Sequence, residues 1–349
     1  MVRLGIIGVG GIANGVHIPE IQNTKNGQIV AICDIDKERL QAVGDKLGID
    51  EKYRFENYMD LINCDIVDAI EICTPNYLHV PMALDALKSG KPFEVEKPLS
   101  INYQDATRLG DALKENAVPN MMCFSYRFRS AVRYAKDIIE QGLLGDIIHV
   151  NVEYLKDSGL WKGRPMEWRF EKDKAGTGVL GDLGVHLIDM AQFLVGDMKR
   201  ICGKAAIVVK ERPIKGTDEI GKVETDDYCN FMVEFENGAA GMFSVTRCAV
   251  GQSNTIKYAI YGTKGMIGFN LNKSDEIEVC IGDIDVDSHG QHTIRVPGKY
   301  RVSQEQTFID LVEGKLGQYL PTVEDGLKCQ KILDSLLESS EKSCWIDLK

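Results

Sequence analysis

The stretch RLGIIGVGGIANG, Arg3–Gly15, decides the fold. Its apolar opening, Arg3 to Gly8, reads as a buried strand, and a helix is expected from about Ile12. Between them Gly8, Gly10 and Ala13 spell G-x-G-x-x-A. Each small residue has a physical task at that spacing. Gly8 permits the tight turn, Gly10 lets a pyrophosphate approach the backbone, and Ala13 lets helix pack on strand. With Gly11 and Ile12, the turn presents free N–H groups and the positive end of a helix to phosphate. A glycine turn that binds nothing is the weaker alternative, because this one sits between a strand and a helix.

Outward from that turn, strand and helix signals alternate. QIVAICD is a strand and DKERLQAVGDKLG an amphipathic helix ending at Gly48. IVDAIEICT is a strand, and HVPMALDALKSG a helix with Gly90 beyond its end. KPFEVE is a strand, Asn102 with Asp105 caps a helix, and NMMCFSY is the last strand of the unit. Such alternation predicts crossover connections and a parallel sheet covered on both faces. Asp34 closes the second strand, where an acid accepts hydrogen bonds from ribose hydroxyls and repels a 2′-phosphate. NAD is therefore expected over NADP. Asp36 suits the cap of the next helix. CTPNYLH, Cys73–His79, lies at the carboxyl end of a strand, where open parallel sheets bind ligands. Thr74, Pro75, Asn76 and His79 are placed at the cofactor on that ground.

After about Tyr126 the pattern changes. A helix, SAVRYAKDIIEQG, and a strand, DIIHVNVEYL, lead to a loop over 156–178. The helix LGDLGVHLIDMAQFLVG follows, and then strand-like runs. ENG at 236–238 and GTKG at 262–265 read as hairpin turns, so an antiparallel sheet is expected. Two helices, near 303–314 and 324–340, close the chain. The fold class is thus α/β: an N-terminal doubly wound Rossmann domain over 1–124, and over 125–349 an α+β domain on a large, mostly antiparallel sheet.

Composition narrows the function classes. The 349 residues suit two domains of roughly 100–200 residues each. With 52 acids against 41 bases the net charge is −11, which argues against nucleic acid or an anionic membrane as the main partner. The ten cysteines show no CxxC spacing and no cluster with histidine, so no metal site is expected. Several lie in apolar runs and read as reduced core residues of a cytoplasmic protein. The N-terminal apolar run is too short for a signal peptide or a membrane helix.

Two stretches carry candidate chemistry. In FEVEKPLS, Phe93–Ser100, a strand ends on Glu96 and Lys97, and a lysine there is costly unless solvated, paired or in use. In GDLGVHLID, Asp182, His186 and Asp189 stand at i, i+4 and i+7, one face of a helix. A histidine four residues from an aspartate is a plausible oriented base. Satisfied buried polar groups would be the preferred reading of an isolated DxxxH; a preceding dinucleotide domain tips it toward chemistry. His17, His79, His149, His289 and His292 have no comparable context for a base.

Taken together, the turn at 8–13, Asp34, CTPNYLH, EKP at 96–98 and GDLGVHLID resemble the glucose–fructose oxidoreductase / inositol dehydrogenase family, often written Gfo/Idh/MocA. The match runs in order through the first 190 residues. The resemblance implies that Lys97 sits between nicotinamide and substrate hydroxyls, supported by Glu96. His186 would accept the proton and Asp182 hold the hydroxyl. Tyr126 and Arg127 of SYRF are implied to line the substrate site, and EWRF, with Trp168 and Arg169 as further substrate candidates, to lie in a variable loop near the cofactor. The loop 156–175, with Trp161, Lys162 and Arg164, is where members differ. Members act on inositols, sugars, sugar acids and nucleotide sugars, and commonly form homodimers or homotetramers through an open sheet face. The expected function is hydride transfer between NAD and a secondary hydroxyl of a cyclic polyol, sugar or derivative. A redox-neutral, NAD-dependent glycoside-cleaving enzyme and a non-catalytic cofactor sensor are the alternatives.

Overall fold

The computed structural model describes residues 1–161, 163–315 and 317–348, and these form two compact units. The first comprises Met1–Phe124 and Val302–Lys328. Its strands are β1 (Val2–Ile7), β2 (Gly27–Cys33), β3 (Arg54–Phe55), β4 (Ala69–Ile72), β5 (Phe93–Val95) and β6 (Asn120–Met122). They lie in the order β3-β2-β1-β4-β5-β6, every neighbouring pair parallel. The order reverses beside β1, and the glycine turn follows that strand, so the turn opens at the topological switch point. Leu4, Ile6, Ile32, Ile70, Phe93 and Val95 are fully buried, as strands covered on both faces require. Local signals act as read. Asp36 accepts from the Arg39 N–H at 3.0 Å, Asn102 accepts from the Asp105 N–H at 2.8 Å, and Gly48 ends its helix at φ 66°.

One boundary differs from the sequence reading. Residues 302–328, placed above in the second domain, pack in the first unit. Helix Gln304–Val312 is capped by Ser303 and buries Phe308 and Ile309. The chain then returns to the sheet edge, where Met122 N–H donates to Pro321 O and Val323 N–H to Asn120 Oδ1, both at 3.0 Å. Hydrophobic pattern names a helix but not the sheet it covers.

The second unit, Ser125–Arg301 with residues from Cys329 onward, holds two sheets. Strands β7 (Ile147–Lys156), β8 (Met198–Ala206), β9 (Glu211–Pro213), β10 (Ile220–Lys222), β11 (Tyr228–Phe235), β12 (Ala240–Thr246), β13 (Asn254–Gly262), β14 (Gly265–Asn270), β15 (Glu276–Ile281), β16 (His292–Arg295) and β17 (Ile346–Asp347) occur in that order. A 9-stranded sheet runs β16-β15-β14-β13-β7-β12-β11-β8-β17. Within this sheet, among the described residues, only β7 and β12 pair in parallel. The two glycine-containing turns join β11 to β12 and β13 to β14 as antiparallel hairpins. Alternation fixes the register: Phe231, Val233, Phe243, Val245, Ile256 and Ile260 point to the buried face, while Met232 and Met242 are exposed on the other. Helix Val185–Leu194 lies on the buried side, where the Tyr258 hydroxyl donates to Leu187 O at 2.7 Å. Short β9, β10 and β16, whose polar residues give no clean alternation, were not foreseen; nor was β15, although buried Ile277 and Val279 alternate there with exposed Glu276 and Glu278.

Candidate functional site

The glycine turn separates two requirements. Gly8 sits at φ 89°, and a Cβ there would meet Cys73 O at 2.7 Å, so the fold itself demands glycine. A Cβ at Gly10 or Gly11 would meet nothing within 4 Å. Packing does not require glycine at those two positions, whereas close approach of a ligand to the backbone does. The following residues wind as a π turn, Ala13–His17, before helix Ile18–Gln22. Asp34 is nearly buried. Its Oδ2 accepts from the Val9 N–H at 3.0 Å, its Oδ1 from the Asp36 N–H at 2.9 Å, and Arg39 approaches both oxygens at 3.2–3.3 Å. The turn and the acid fit a dinucleotide: room for pyrophosphate beside bare backbone, and a carboxylate beyond the second strand for ribose.

At the ends of β4 and β5, Thr74 is half-buried and Asn76 buried just after Pro75. His79 was placed at the cofactor from sequence, but both its ring nitrogens are engaged by the protein. Nδ1 lies 2.7 Å from Pro98 O and Nε2 2.8 Å from Thr74 O. Burial pushes its pKa down, against the pull of the two carbonyls. His79 thus ties the EKP turn to the CTPN turn. The Lys97–Pro98 bond is cis, and Lys97 is half-buried. Glu96 Oε2 accepts from the Lys97 backbone N–H at 3.0 Å, while Oε1 lies 2.9 Å from His17 Nε2.

That last contact opens onto a group the sequence reading missed. His17 Nδ1 lies 2.7 Å from Glu71 Oε1 and 2.8 Å from Glu305 Oε1. Cys73 Sγ is 3.5 Å from Glu71 Oε1, and Glu94 accepts from Gln304 at 2.6 Å. Burial pushes up the carboxyls of Glu94 and Glu305, the latter to about 8, helped by neighbouring carboxylates. Burial opposes a charge on His17, yet Cys73, Glu71 and Glu305 hold its pKa well above the usual imidazole value. Four segments far apart in sequence supply these groups. The available signal was a glutamate inside each of two apolar strands, AIEIC and FEVEK.

In the second unit the DxxxH stretch is not a plain helix. Leu180–Gly184 forms a π turn that leads into helix Val185–Leu194. Asp182 and His186 stand on either side of that change in winding, so the one-face reading holds only for His186 and residues beyond. The N–H groups opening the turn are held by Asp226, whose Oδ1 accepts from Gly178 at 2.6 Å and Oδ2 from Leu180 at 2.8 Å. A Cβ at Gly178 would meet Asp226 O at 2.0 Å, so this approach also demands glycine. Burial raises the Asp226 pKa, and the two N–H donors draw it back. Tyr126 stacks obliquely on His186 with ring centroids 4.3 Å apart, and its hydroxyl bonds that of buried Tyr154 at 2.9 Å. Burial, then Tyr126, pushes the Tyr154 pKa up.

Residues 2–124 match the family pattern described as "Oxidoreductase family, NAD-binding Rossmann fold", and 132–268 the "GFO/IDH/MocA C-terminal domain". A levoglucosan dehydrogenase of Pseudarthrobacter phenanthrenivorans is 32% identical over 333 residues, 85% of each chain. The chain belongs to the Gfo/Idh/MocA oxidoreductase family. A further Gfo/Idh/MocA relative, the glucose-6-phosphate 3-dehydrogenase of Bacillus subtilis, is 27% identical, over 98% of this chain and 97% of that one. Among solved structures, a levoglucosan dehydrogenase in complex with NADH matches with a TM-score of 0.91 at 28% identity, covering 100% of this chain and 99% of that one. The protein is therefore a dehydrogenase of this family with an NAD-binding Rossmann domain.

The Gfo/Idh/MocA motifs are not all chemical here. Arg127, expected to line the substrate site, is buried and forks onto Asp189 at 2.5–2.9 Å. That pair fastens the SYRF turn to helix Val185–Leu194 and matches both charges. Trp168 and Arg169 stack on each other at 4.4 Å in a one-turn helix, Trp168–Phe170. Trp161 is exposed and Arg164 pairs with Glu167 at 3.2 Å; Lys162 lies outside the described residues.

Proposed function

We propose that the protein oxidises a secondary hydroxyl of a sugar or cyclic polyol. His186 takes the hydroxyl proton as the carbon–hydrogen bond breaks. NAD, when bound, accepts the hydride. Lys97 donates to the oxygen while it gains charge, and Asp182 orients the same hydroxyl. The observation that carries this reading is the placement of His186: an imidazole stacked on Tyr126, at the start of a helix whose entry Asp226 fastens. Family membership supplies the redox chemistry.

NADH formation should be followed with levoglucosan, glucose 6-phosphate, inositols, aldoses, sugar acids and glycosides. NADH in equal amount to oxidised product is expected for one of these. Cleavage of a glycoside without net NADH would replace this reading with the redox-neutral one, and binding without product would leave a sensor. Once a substrate is found, His186→Ala should lose roughly 10²–10⁴-fold in turnover with NADH binding intact. Its acid-side loss of turnover, where the wild-type imidazole is protonated, should flatten.

The assembly proposed is a homodimer or homotetramer formed through the exposed face of the 9-stranded sheet. Large apolar side chains, Met232, Met242 and Tyr261, are exposed on that face.

A further inference from the structure

β4 and β5 place Glu71 and Glu94 opposite each other as register partners, both 0% exposed. Two like charges directly opposed in a sheet core are unfavourable, and burying either one without a counter-charge is costlier still. Glu305, 1% exposed, faces the same space from helix Gln304–Val312. Among the described residues the only cationic group within ion-pair distance of Glu71 or Glu305 is His17. Glu71 Oε2, Glu94 Oε2 and Glu305 Oε2 are buried and make no hydrogen bond. A core that leaves three carboxylate oxygens unmatched lacks positive charge.

We propose that His17, Glu71, Cys73 and Glu305 form a buried, structural site for a divalent transition-metal ion, zinc by its donor set. The donors converge. His17 Nδ1, Glu71 Oε1 and Cys73 Sγ lie within 4.8 Å of one another, and Glu305 Oε1 lies 2.8 Å from the same Nδ1. Tetrahedral zinc with bonds of about 2.0–2.3 Å holds its ligands roughly 3.3–3.7 Å apart. The separations of 2.7, 2.8 and 3.5 Å reach that spacing if side chains move by less than about an ångström. Nitrogen, carboxylate and sulfur together suit zinc and not magnesium or calcium, which take oxygen alone. The ring is also oriented as a metal-bound histidine is. Its other nitrogen, Nε2, lies 2.9 Å from Glu96 Oε1, which can accept its proton and leave Nδ1 free to ligate. Two carboxylates balance a divalent ion, and the thiolate completes the set. Loading releases to solvent the protons that the thiol, the imidazole Nδ1 and the carboxyls hold without it. Four protein donors leave no open position, so the ion joins β4, the first turn and helix Gln304–Val312 without taking part in hydride transfer.

The test starts with the full-length protein. Elemental analysis after extensive dialysis should find about one zinc per chain. Protein stripped by chelation should melt lower and recover on adding zinc. Reloaded with cobalt(II), it should show ligand-field bands and a thiolate-to-cobalt charge-transfer band. Cys73→Ser should abolish the charge-transfer band. Cys123→Ser, on the Nε2 side of the imidazole, should keep it. Glu96→Gln should weaken cobalt binding about 10–100-fold, the usual cost of losing a carboxylate behind a ligating histidine. Should Cys73→Ser fail to fold, the wild-type band and its survival in Cys123→Ser decide. Metal-free wild type that takes up neither zinc nor cobalt would overturn the site and leave shared protons as the only neutralisation. So would a band lost in Cys123→Ser.

Discussion

The Asp34 carboxylate is engaged on three sides, by Val9 and Asp36 N–H groups and by Arg39. Arg39 is itself shared with Asp36 at 2.8 Å. A 2′-phosphate brought to Asp34 would meet a fixed negative charge, and like-charge juxtaposition costs several kcal/mol. Asp34→Ser removes that charge and releases Arg39 toward the phosphate. The ratio of kcat/KM for NAD over NADP should fall by on the order of tenfold or more. An unchanged ratio would show that cofactor choice lies elsewhere. Lys97 poses a sharper choice. As an exposed ion pair it would contribute only about 0–1 kcal/mol. As a donor to an oxygen that gains charge, its loss should cost on the order of 10²–10³-fold in turnover. Lys97→Met keeps the stem and removes the ammonium, so turnover and Tm measured together separate the two. Asp34, Glu96 and Lys97 stand out in sequence because each follows an apolar strand, and they do stand directly beyond β2 and β5. Arg127 was expected at the substrate site only from the resemblance, and packing shows that Asp189 holds its guanidinium. His17 was illegible, because its partners arrive from β4, β5 and residue 305.

Elements carry the next level of control. The π turn Leu180–Gly184 and helix Val185–Leu194 fix where Asp182 and His186 stand, and Asp226 fastens the entry through two backbone N–H groups. An asparagine there keeps the size but offers one acceptor oxygen, and its amide hydrogens then face an N–H. Asp226→Asn should therefore lower stability by about 1–3 kcal/mol, the usual cost of an unmet buried polar group. It should also reduce kcat more than it raises KM if the displaced group is His186, the base proposed above. A fall in Tm with kcat unchanged would leave Asp226 a purely structural cap. Sequence periodicity named the helix here but not the π turn, because this segment is buried almost all round and has no polar face whose shift would mark the extra residue. Caps fared better: Asp36 and Asn102 stand at their helix starts because a side-chain acceptor at that position has a local, sequence-readable task.

For the whole molecule, the sequence order of strands and helices specified the parallel sheet and the hairpins at the centre of the 9-stranded one, yet the chain's return to the first unit over 302–328 was hidden. Its helix is amphipathic like any other, and only the match of Phe308 and Ile309 to a surface says which sheet it covers. The exposed face of the 9-stranded sheet raises the converse question, an apolar surface in search of cover. Met232 and Met242 are register partners on adjacent strands and are 42% and 53% exposed, so they form one patch. In a symmetric pair each patch would meet its own copy or a neighbouring residue of that face. Met232→Glu with Met242→Glu would then place four carboxylates in a closing interface, while in a lone chain both would point harmlessly into water. Light scattering at decreasing concentration should show the wild type as a dimer or tetramer and the double variant as a smaller species of unchanged Tm onset and secondary structure. If the variant keeps the wild-type mass, association uses another surface, and the methionine patch must be explained some other way.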